Sequence, residues 1–238
     1  MAKLRKLWSL AALALVGSAQ AAPVLVTSEI ALGANDSVNW AQLGSDGTIF
    51  GPNFSANSTN AITVSGSLAG NNGCVTVVDG STCGWTAGPG FAAGDTVLWA
   101  EDDQGNGSGP LSLSFSSVLG AGLWLQANAA SPFTAQINVL YGQGSSSTFT
   151  ESSDANGSGL FIGVLDSVAD ITNITVTLQG CRGASCDFAV NSLLLTEATT
   201  HGVPEPASLA LVVLPLMALP LARRRQARPL AANTEESA

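Results

Sequence analysis

Positive charge is almost absent from the middle of this 238-residue chain. Between residues 22 and 202 the only lysine or arginine is Arg182, whereas the same span holds 14 aspartates and glutamates. A protein that binds nucleic acid needs cations to neutralise phosphates, and binding to an anionic membrane surface has the same requirement. The composition therefore excludes both classes for this part of the chain.

Histidine is nearly absent as well, which restricts the enzymes that the chain could be. His201 is the only histidine, and no lysine follows Lys6. A Ser-His-Asp triad cannot be built without a histidine inside the domain, and no G-x-S-x-G segment offers a nucleophile elbow. Two carboxylates suffice to hydrolyse a glycosidic bond, and Glu101 and Glu151 are one such pair. We expect no enzyme, with a carboxylate-dependent glycan-active enzyme as the alternative.

Long apolar runs are confined to the two ends of the chain. Residues 1–21 begin with three basic residues, continue with an apolar stretch at 7–16 and finish on Ala19-Gln20-Ala21. These are the three parts of a secretory signal peptide. The apolar stretch is about half of the roughly 20 residues that a membrane-spanning helix needs. We expect cleavage after Ala21 and export of the remainder.

The other end combines a proline-rich motif, an apolar segment and a basic cluster. Val203-Pro204-Glu205-Pro206 precedes the uncharged residues 207–222, and Arg223-Arg224-Arg225 follow. As a helix, the uncharged segment would measure about 24 Å, and the positive-inside rule would keep the arginines in the cytoplasm. We expect a linker at 199–206, a transmembrane helix at 207–222 and a basic cytoplasmic tail at 223–238.

This order of motif, helix and arginine cluster resembles the sorting tail of PEP-CTERM proteins of Gram-negative bacteria. The resemblance implies that exosortase, a membrane protease of species that make extracellular polysaccharide, recognises and processes the tail. It also implies anchoring in the inner membrane before processing, and then a place at the cell surface or in the extracellular matrix. The tail departs from the family in one respect, since 13 residues follow Arg225 where members usually end within a few.

Residues 22–198 have the pattern of one all-β domain. Short β-branched or alternating runs are separated by glycine, asparagine, serine and aspartate. In 111–115 and 174–178 the alternation places apolar side chains on one face and hydroxyls on the other. Twelve strands are predicted, at 24–31, 48–54, 61–68, 74–78, 96–100, 111–115, 122–128, 133–141, 147–151, 160–165, 171–178 and 187–195. With little helix expected before the tail, they predict a two-sheet β-sandwich of the jelly-roll type.

Residues 90–195 also resemble the middle of many PEP-CTERM proteins of uncharacterised function. The resemblance is carried by G-F-x-x-G-D-x-x-L-W at 90–99, by P-F-T-A-Q-I at 132–137 and by D-F-A-V-N at 187–191. We interpret these motifs as structural, and they bring no catalytic residue to the chain.

The four cysteines form two local pairs in the sequence. Cys74 and Cys83 are nine residues apart, and Cys181 and Cys186 are five apart. Export permits disulfides, and their proximity predicts one bridge within each pair. A metal site of four thiolates is the alternative, although neither spacing is C-x₂-C and no histidine is near.

The carboxylates suggest a structural calcium ion, the only cofactor that the sequence offers. Residues 101–107 contain three acids and two amides, without the spacing of an EF-hand. Jelly-roll carbohydrate modules often hold calcium with acids near the first and last strands, and this analogy nominates Glu29 and Asp187. A calcium-stiffened spacer without any ligand is accordingly a further alternative.

Exposed aromatic rings are the usual means of stacking sugars, and four tryptophans follow the signal peptide. Trp85 comes soon after Cys83 in a glycine-rich segment, so we expect its ring to be partly exposed and to bind the ligand. Trp99 and Trp124 lie in apolar strand runs and are expected in the core. We therefore expect a structural or adhesive surface protein that is associated with exopolysaccharide, with exosortase and the membrane as its other partners.

Overall fold

The computed structural model describes residues 22–69, 72–80, 85–100, 109–128, 130–181 and 186–198. Their strands form two antiparallel sheets. The first sheet contains β1 (Val24–Val26), β2 (Asp36–Val38), β3 (Thr48–Phe50), β6 (Gly73–Val77), β7 (Thr96–Ala100), β9 (Gly120–Ala127), β12 (Leu160–Leu165) and β14 (Phe188–Thr196). The second contains β4 (Asn53–Asn57), β5 (Thr63–Ser67), β8 (Leu111–Val118), β10 (Thr134–Tyr141), β11 (Ser146–Ser152) and β13 (Ile171–Gln179).

The two sheets enclose one hydrophobic core. Leu123 and Ile162 of the first sheet and Ile137 and Val176 of the second belong to a single cluster, and each has 0% exposure. The first sheet has the strand order β1-β12-β9-β14-β7-β6-β3, and β2 pairs with the C-terminal half of β14. The second has the order β11-β10-β13-β8-β5-β4. The prediction of an all-β, two-sheet β-sandwich is confirmed.

The outer face of the second sheet is polar and uncharged, as the alternation in 111–115 and 174–178 predicts. Neighbouring side chains on this face bond across the strands: Asn138 Nδ2 donates to Thr148 Oγ1 at 2.9 Å, and Asn173 Nδ2 donates to Ser112 Oγ at 2.9 Å. The residues at these outward positions of the six strands are serine, threonine, asparagine and glutamine, apart from Leu140.

The outer face of the first sheet is instead covered by two short segments. One is helix α1 (Glu29–Leu32), whose buried Leu32 packs with Phe161 of β12. The other is the segment 85–95, whose Trp85 and Phe91 pack with Trp99 of β7. Residues of both segments line a cleft on this face of the sheet.

The strand prediction is wrong at α1. The β-branched residues of 24–31 predict one strand, but the strand ends at Val26. Ser28 caps the helix by accepting the N–H of Ala31 at 3.1 Å, and Gly33 ends it in the left-handed region with a φ of 62°. The serine cap and glycine stop were the local signals of this helix.

The boundaries of the other strands show where the local sequence pattern is enough to predict a strand. The predicted strands 96–100 and 160–165 coincide with β7 and β12. The predicted strand 48–54 is two strands, β3 and β4, which lie in different sheets. β2 was not predicted, since its three residues are too few for an alternating pattern.

One of the two predicted disulfides is present among the described residues. Cys181 and Cys186 are bonded, with their Cα atoms 5.5 Å apart. This bond is inconsistent with a site of four free thiolates. Cys74 is buried in β6, and its predicted partner Cys83 lies outside the described residues.

The predicted sorting segments also lie outside the described residues. These are the signal peptide 1–21, the linker 199–206 with its Val203-Pro204-Glu205-Pro206 motif, the helix 207–222 and the tail 223–238. Within the part of the chain that the structure describes, no helix has the length and apolar character required to cross a membrane.

Candidate functional site

A cleft lies on the outer face of the first sheet, at the point where β14 changes its neighbour. Val190 pairs with β7, whereas Leu193 pairs with β2. Between them, the register of β14 against β9 is interrupted at Asn191 and Ser192. Irregularities of this kind redirect side chains and are frequent beside functional sites. The cleft has a volume of about 420 Å³, which lies within the range of small-molecule sites.

Asn191 joins this irregular stretch of β14 to one wall of the cleft. Its Nδ2 donates to the carbonyl of Gly90 at 2.7 Å and to Asp95 Oδ2 at 2.9 Å. Asp95 Oδ2 also accepts the N–H of Ala92 at 2.8 Å, so the carboxylate closes the turn that forms the wall. On the inner side, Trp40 Nε1 donates to the carbonyl of Asn191 at 2.8 Å. The floor is therefore fixed from both sides of the sheet.

Trp124 of β9 forms the aromatic part of the floor. Its ring is partly exposed and packs edge to face against Phe161, with centroids 5.8 Å apart. Gly90 lies against the ring so closely that a Cβ at this position would overlap it. Trp124 Nε1 donates to Glu29 Oε2 at 3.1 Å, which places the acid of α1 beside the indole ring in the cleft.

The cleft offers hydrogen-bond acceptors in excess of donors. The indole N–H of Trp124 is engaged by Glu29, and the amide hydrogens of Asn191 are engaged by Gly90 and Asp95. The two carboxylates, Glu29 and Asp95, both line the cleft. A ligand that fits this arrangement has hydroxyl or amine hydrogens to donate and an apolar face for the indole ring.

The motifs at 90–99 and 187–191 meet at this cleft. Gly90 and Asp95 belong to the first motif, and Asn191 is the last residue of the second. The sequence motifs therefore include the residues that build the wall and floor. The hydrogen bonds among these residues agree with the interpretation of the motifs as structural. That the two motifs meet could not be predicted, because their spacing of about 100 residues carries no local signal of contact.

The predicted exposure of Trp85 is wrong. The ring is 5% exposed and packs against Trp99, with centroids 5.6 Å apart. So little free surface cannot stack a sugar. Trp99 is buried as predicted, whereas Trp124 is only partly buried and is the tryptophan that lines the cleft beside β14.

The predicted calcium ligands Glu29 and Asp187 are not brought together. Glu29 contacts Trp124, whereas the carbonyl of Asp187 accepts the N–H of Asn128 at 2.8 Å. Asn128 is four residues beyond Trp124, about 13 Å along an extended chain. Among the residues that the structure describes, no three histidine, cysteine, aspartate or glutamate side chains form a metal-binding group.

The carboxylate pair Glu101 and Glu151 gains no support as a catalytic pair. Glu151 lies on β11, the edge strand of the second sheet, away from the cleft on the first. Glu101 and the rest of the acidic segment 101–107 lie outside the described residues.

Comparison with protein-family models and with curated proteins finds no match to this chain. The function is therefore inferred from the cleft and from the resemblance of the tail.

Proposed function

We propose that the chain is an exported, non-enzymatic cell-surface or matrix protein that binds exopolysaccharide through the Trp124 cleft. The single observation that carries the binding role is the partly exposed indole of Trp124 in a cleft that Glu29 and Asp95 also line. Glycans combine apolar ring faces with many hydroxyl donors, and this cleft presents one aromatic surface among acceptors. The charge of the domain restricts the glycan to one that is not polyanionic. The described residues include acids but no lysine, arginine or histidine, and a domain of this charge repels polyanions.

We further propose that the sandwich is a jelly roll formed by the last eight strands. In the first sheet β7, β14, β9 and β12 are neighbours, and in the second β8, β13, β10 and β11 are neighbours. Consecutive strands alternate between the sheets, except that β10 and β11 form a hairpin within the second sheet. This is the pattern of two interlocked Greek keys, which supports the proposal. The earlier strands extend both sheets at their edges.

Export and sorting are the remaining parts of the proposal. Residues 1–21 act as a signal peptide, 207–222 as a transmembrane helix, and Val203-Pro204-Glu205-Pro206 with Arg223-Arg224-Arg225 as the exosortase signal. The support is the tripartite composition of the tail and the disulfide between Cys181 and Cys186, since such bonds persist in oxidising compartments.

The binding role predicts a specific loss in variants of the cleft. We expect Trp124→Ala to weaken binding to the producing strain's exopolysaccharide about 30-fold, because a central aromatic contact contributes about 2 kcal/mol or more. Glu29→Gln, which changes an exposed side chain, is expected to weaken it about 3- to 10-fold. Binding of the full chain in detergent to immobilised polysaccharide measures both effects.

Two controls make this experiment decisive. Glu151→Gln removes the same charge from an edge strand far from the cleft and is expected to bind like the parent. Circular dichroism establishes that each variant is folded. Parent-like binding by folded Trp124→Ala and Glu29→Gln chains would refute the site, and shortening of the polysaccharide by the parent would make the protein an enzyme.

The sorting role predicts an effect of the tail motif in the producing organism. Replacing Pro204, Glu205 and Pro206 together by alanine is expected to leave the chain at the inner membrane with its tail intact, because the protease no longer recognises it. Cell fractionation and mass spectrometry of the tail measure this. Alanines at Glu235 and Glu236, beyond the arginine cluster, serve as the control and should leave sorting unchanged; equal processing of both variants would contradict the proposal.

A further inference from the structure

Two acidic residues frame the loop that joins β12 to β13 at one end of the sandwich. Asp166 follows β12 and is 8% exposed, and Asp170 immediately precedes β13. The loop is attached to its neighbours by backbone bonds. The N–H of Asp166 donates to the carbonyl of Leu119 at 2.7 Å, and the carbonyl of Asp170 accepts the N–H of Gly142 at 2.8 Å.

Tyr141 brings a third oxygen to this loop. It pairs with Ile171 in the β10–β13 register, beside Asp170, and its side chain is 5% exposed. Its hydroxyl is buried and makes no hydrogen bond, and the same holds for Asp170 Oδ1. Ser147 lies near the Tyr141 hydroxyl but outside hydrogen-bond geometry. A buried oxygen atom without a hydrogen-bond partner lowers the stability of the fold. Two such atoms at one loop therefore call for an explanation, such as a bound ion.

The three groups lie close enough to influence one another's ionisation. Burial and the neighbouring Asp166 raise the pKa of Asp170. Burial also raises the pKa of Tyr141, and both carboxylates add to this increase while Ser147 opposes it. Among the described residues there is no lysine, arginine or histidine that could balance the two acids. A bound cation would compensate the charge of these two acids.

We propose that Asp166, Asp170 and the hydroxyl of Tyr141 form a calcium site. Calcium takes six to eight oxygen ligands in flexible geometry, so two carboxylates, a neutral hydroxyl, backbone carbonyls and water suit it. The site is separate from the Trp124 cleft and from the acidic segment 101–107. The site would join the β12–β13 loop to the turn after β10. It would also reach the end of β14 through Leu119, whose N–H donates to the carbonyl of Thr196 at 2.8 Å.

Calcium-dependent thermal stability tests the site. The full chain in detergent is treated with EDTA, and its Tm is measured as calcium is added to about 10 mM. Extracellular calcium modules have Kd values of about 10⁻⁴ to 10⁻³ M, so the parent is expected to gain about 3 to 10 °C. Asp166→Asn and Asp170→Asn are expected to lose this gain. Asparagine at 166 retains the oxygen that accepts the N–H of Ser167.

Three further variants establish whether the calcium response comes from this loop. Glu151→Gln, and a chain with glutamine or asparagine at Glu101, Asp102 and Asp103, are expected to keep the full gain in Tm. Tyr141→Phe, which preserves the ring, is expected to weaken calcium binding about 3- to 10-fold. An unchanged response in Asp170→Asn or Tyr141→Phe overturns the site. So does a parent whose Tm does not respond to calcium, whatever Asp170→Asn does to the Tm in EDTA.

Discussion

Replacing Trp40 by alanine is expected to lower the free energy of unfolding by about 3 to 5 kcal/mol, as for other large aromatic side chains removed from a core. Trp40 has 0% exposure, and its ring packs edge to face against Phe54 with centroids 6.2 Å apart. The substitution also frees the carbonyl of Asn191, which accepts the indole N–H at 2.8 Å. Urea unfolding monitored by far-UV circular dichroism measures the loss.

Trp40→Phe is the matched control for this effect. It keeps an aromatic ring in the core but cannot donate to Asn191, so we expect a loss of about 1 to 2 kcal/mol, mainly from the unpaired carbonyl. If Trp40→Ala lowers the free energy of unfolding no more than Trp40→Phe does, packing of the ring is not what stabilises this region. The same two variants report on the cleft, because Asn191 forms its floor: weaker polysaccharide binding by folded Trp40→Phe would connect the core to the site.

Replacing Gly90 by alanine is expected to lower the free energy of unfolding by about 2 to 5 kcal/mol. Gly90 has a φ of 76°, a left-handed conformation that costs an L-residue about 1 to 2 kcal/mol. A Cβ there would also overlap the indole ring of Trp124, and such overpacking adds about 1 to 3 kcal/mol. Because the ring or the wall has to move, polysaccharide binding should fall as well. Urea unfolding and the binding assay measure the two effects.

Gly94→Ala separates strain from overlap within the same segment. Gly94 also has a positive φ, of 90°, but a Cβ at this position meets nothing within 4 Å. We therefore expect only the backbone cost of about 1 to 2 kcal/mol and nearly normal binding. Equal losses of stability and binding in the two variants would show that the contact between Gly90 and Trp124 has no special importance.

The strands that the sequence predicts well are those whose pattern is local. Thr96–Ala100 and Leu160–Leu165 are apolar runs between residues that break strands, and their predicted boundaries are the observed ones. The predicted strand at 24–31 failed because β-branched residues outweighed the capping serine at 28 and the glycine at 33. Local preferences compete in such short segments, and contact of Leu32 with Phe161 favours the helix.

The cleft was much less predictable than the strands. Trp85 lies among glycines, which predicts exposure, but the segment folds back onto Trp99 and buries it. Trp124 lies in an apolar strand, which predicts a place in the core, but its outward face is only partly covered. The burial of a side chain depends on which distant parts of the chain pack against it. The residues next to Trp85 and Trp124 in the sequence do not reveal these contacts.

The sequence by itself determined the acidic character of the domain, its all-β class and the disulfide between Cys181 and Cys186, because composition, alternation and short spacing are local properties. The tertiary structure alone decided which tryptophan lines a cleft, that Gly90, Asp95 and Asn191 are bonded together, and that Tyr141 lies beside Asp166 and Asp170. Those contacts join residues that are far apart in the chain, and only the pairing of strands and the packing of the two sheets bring them together.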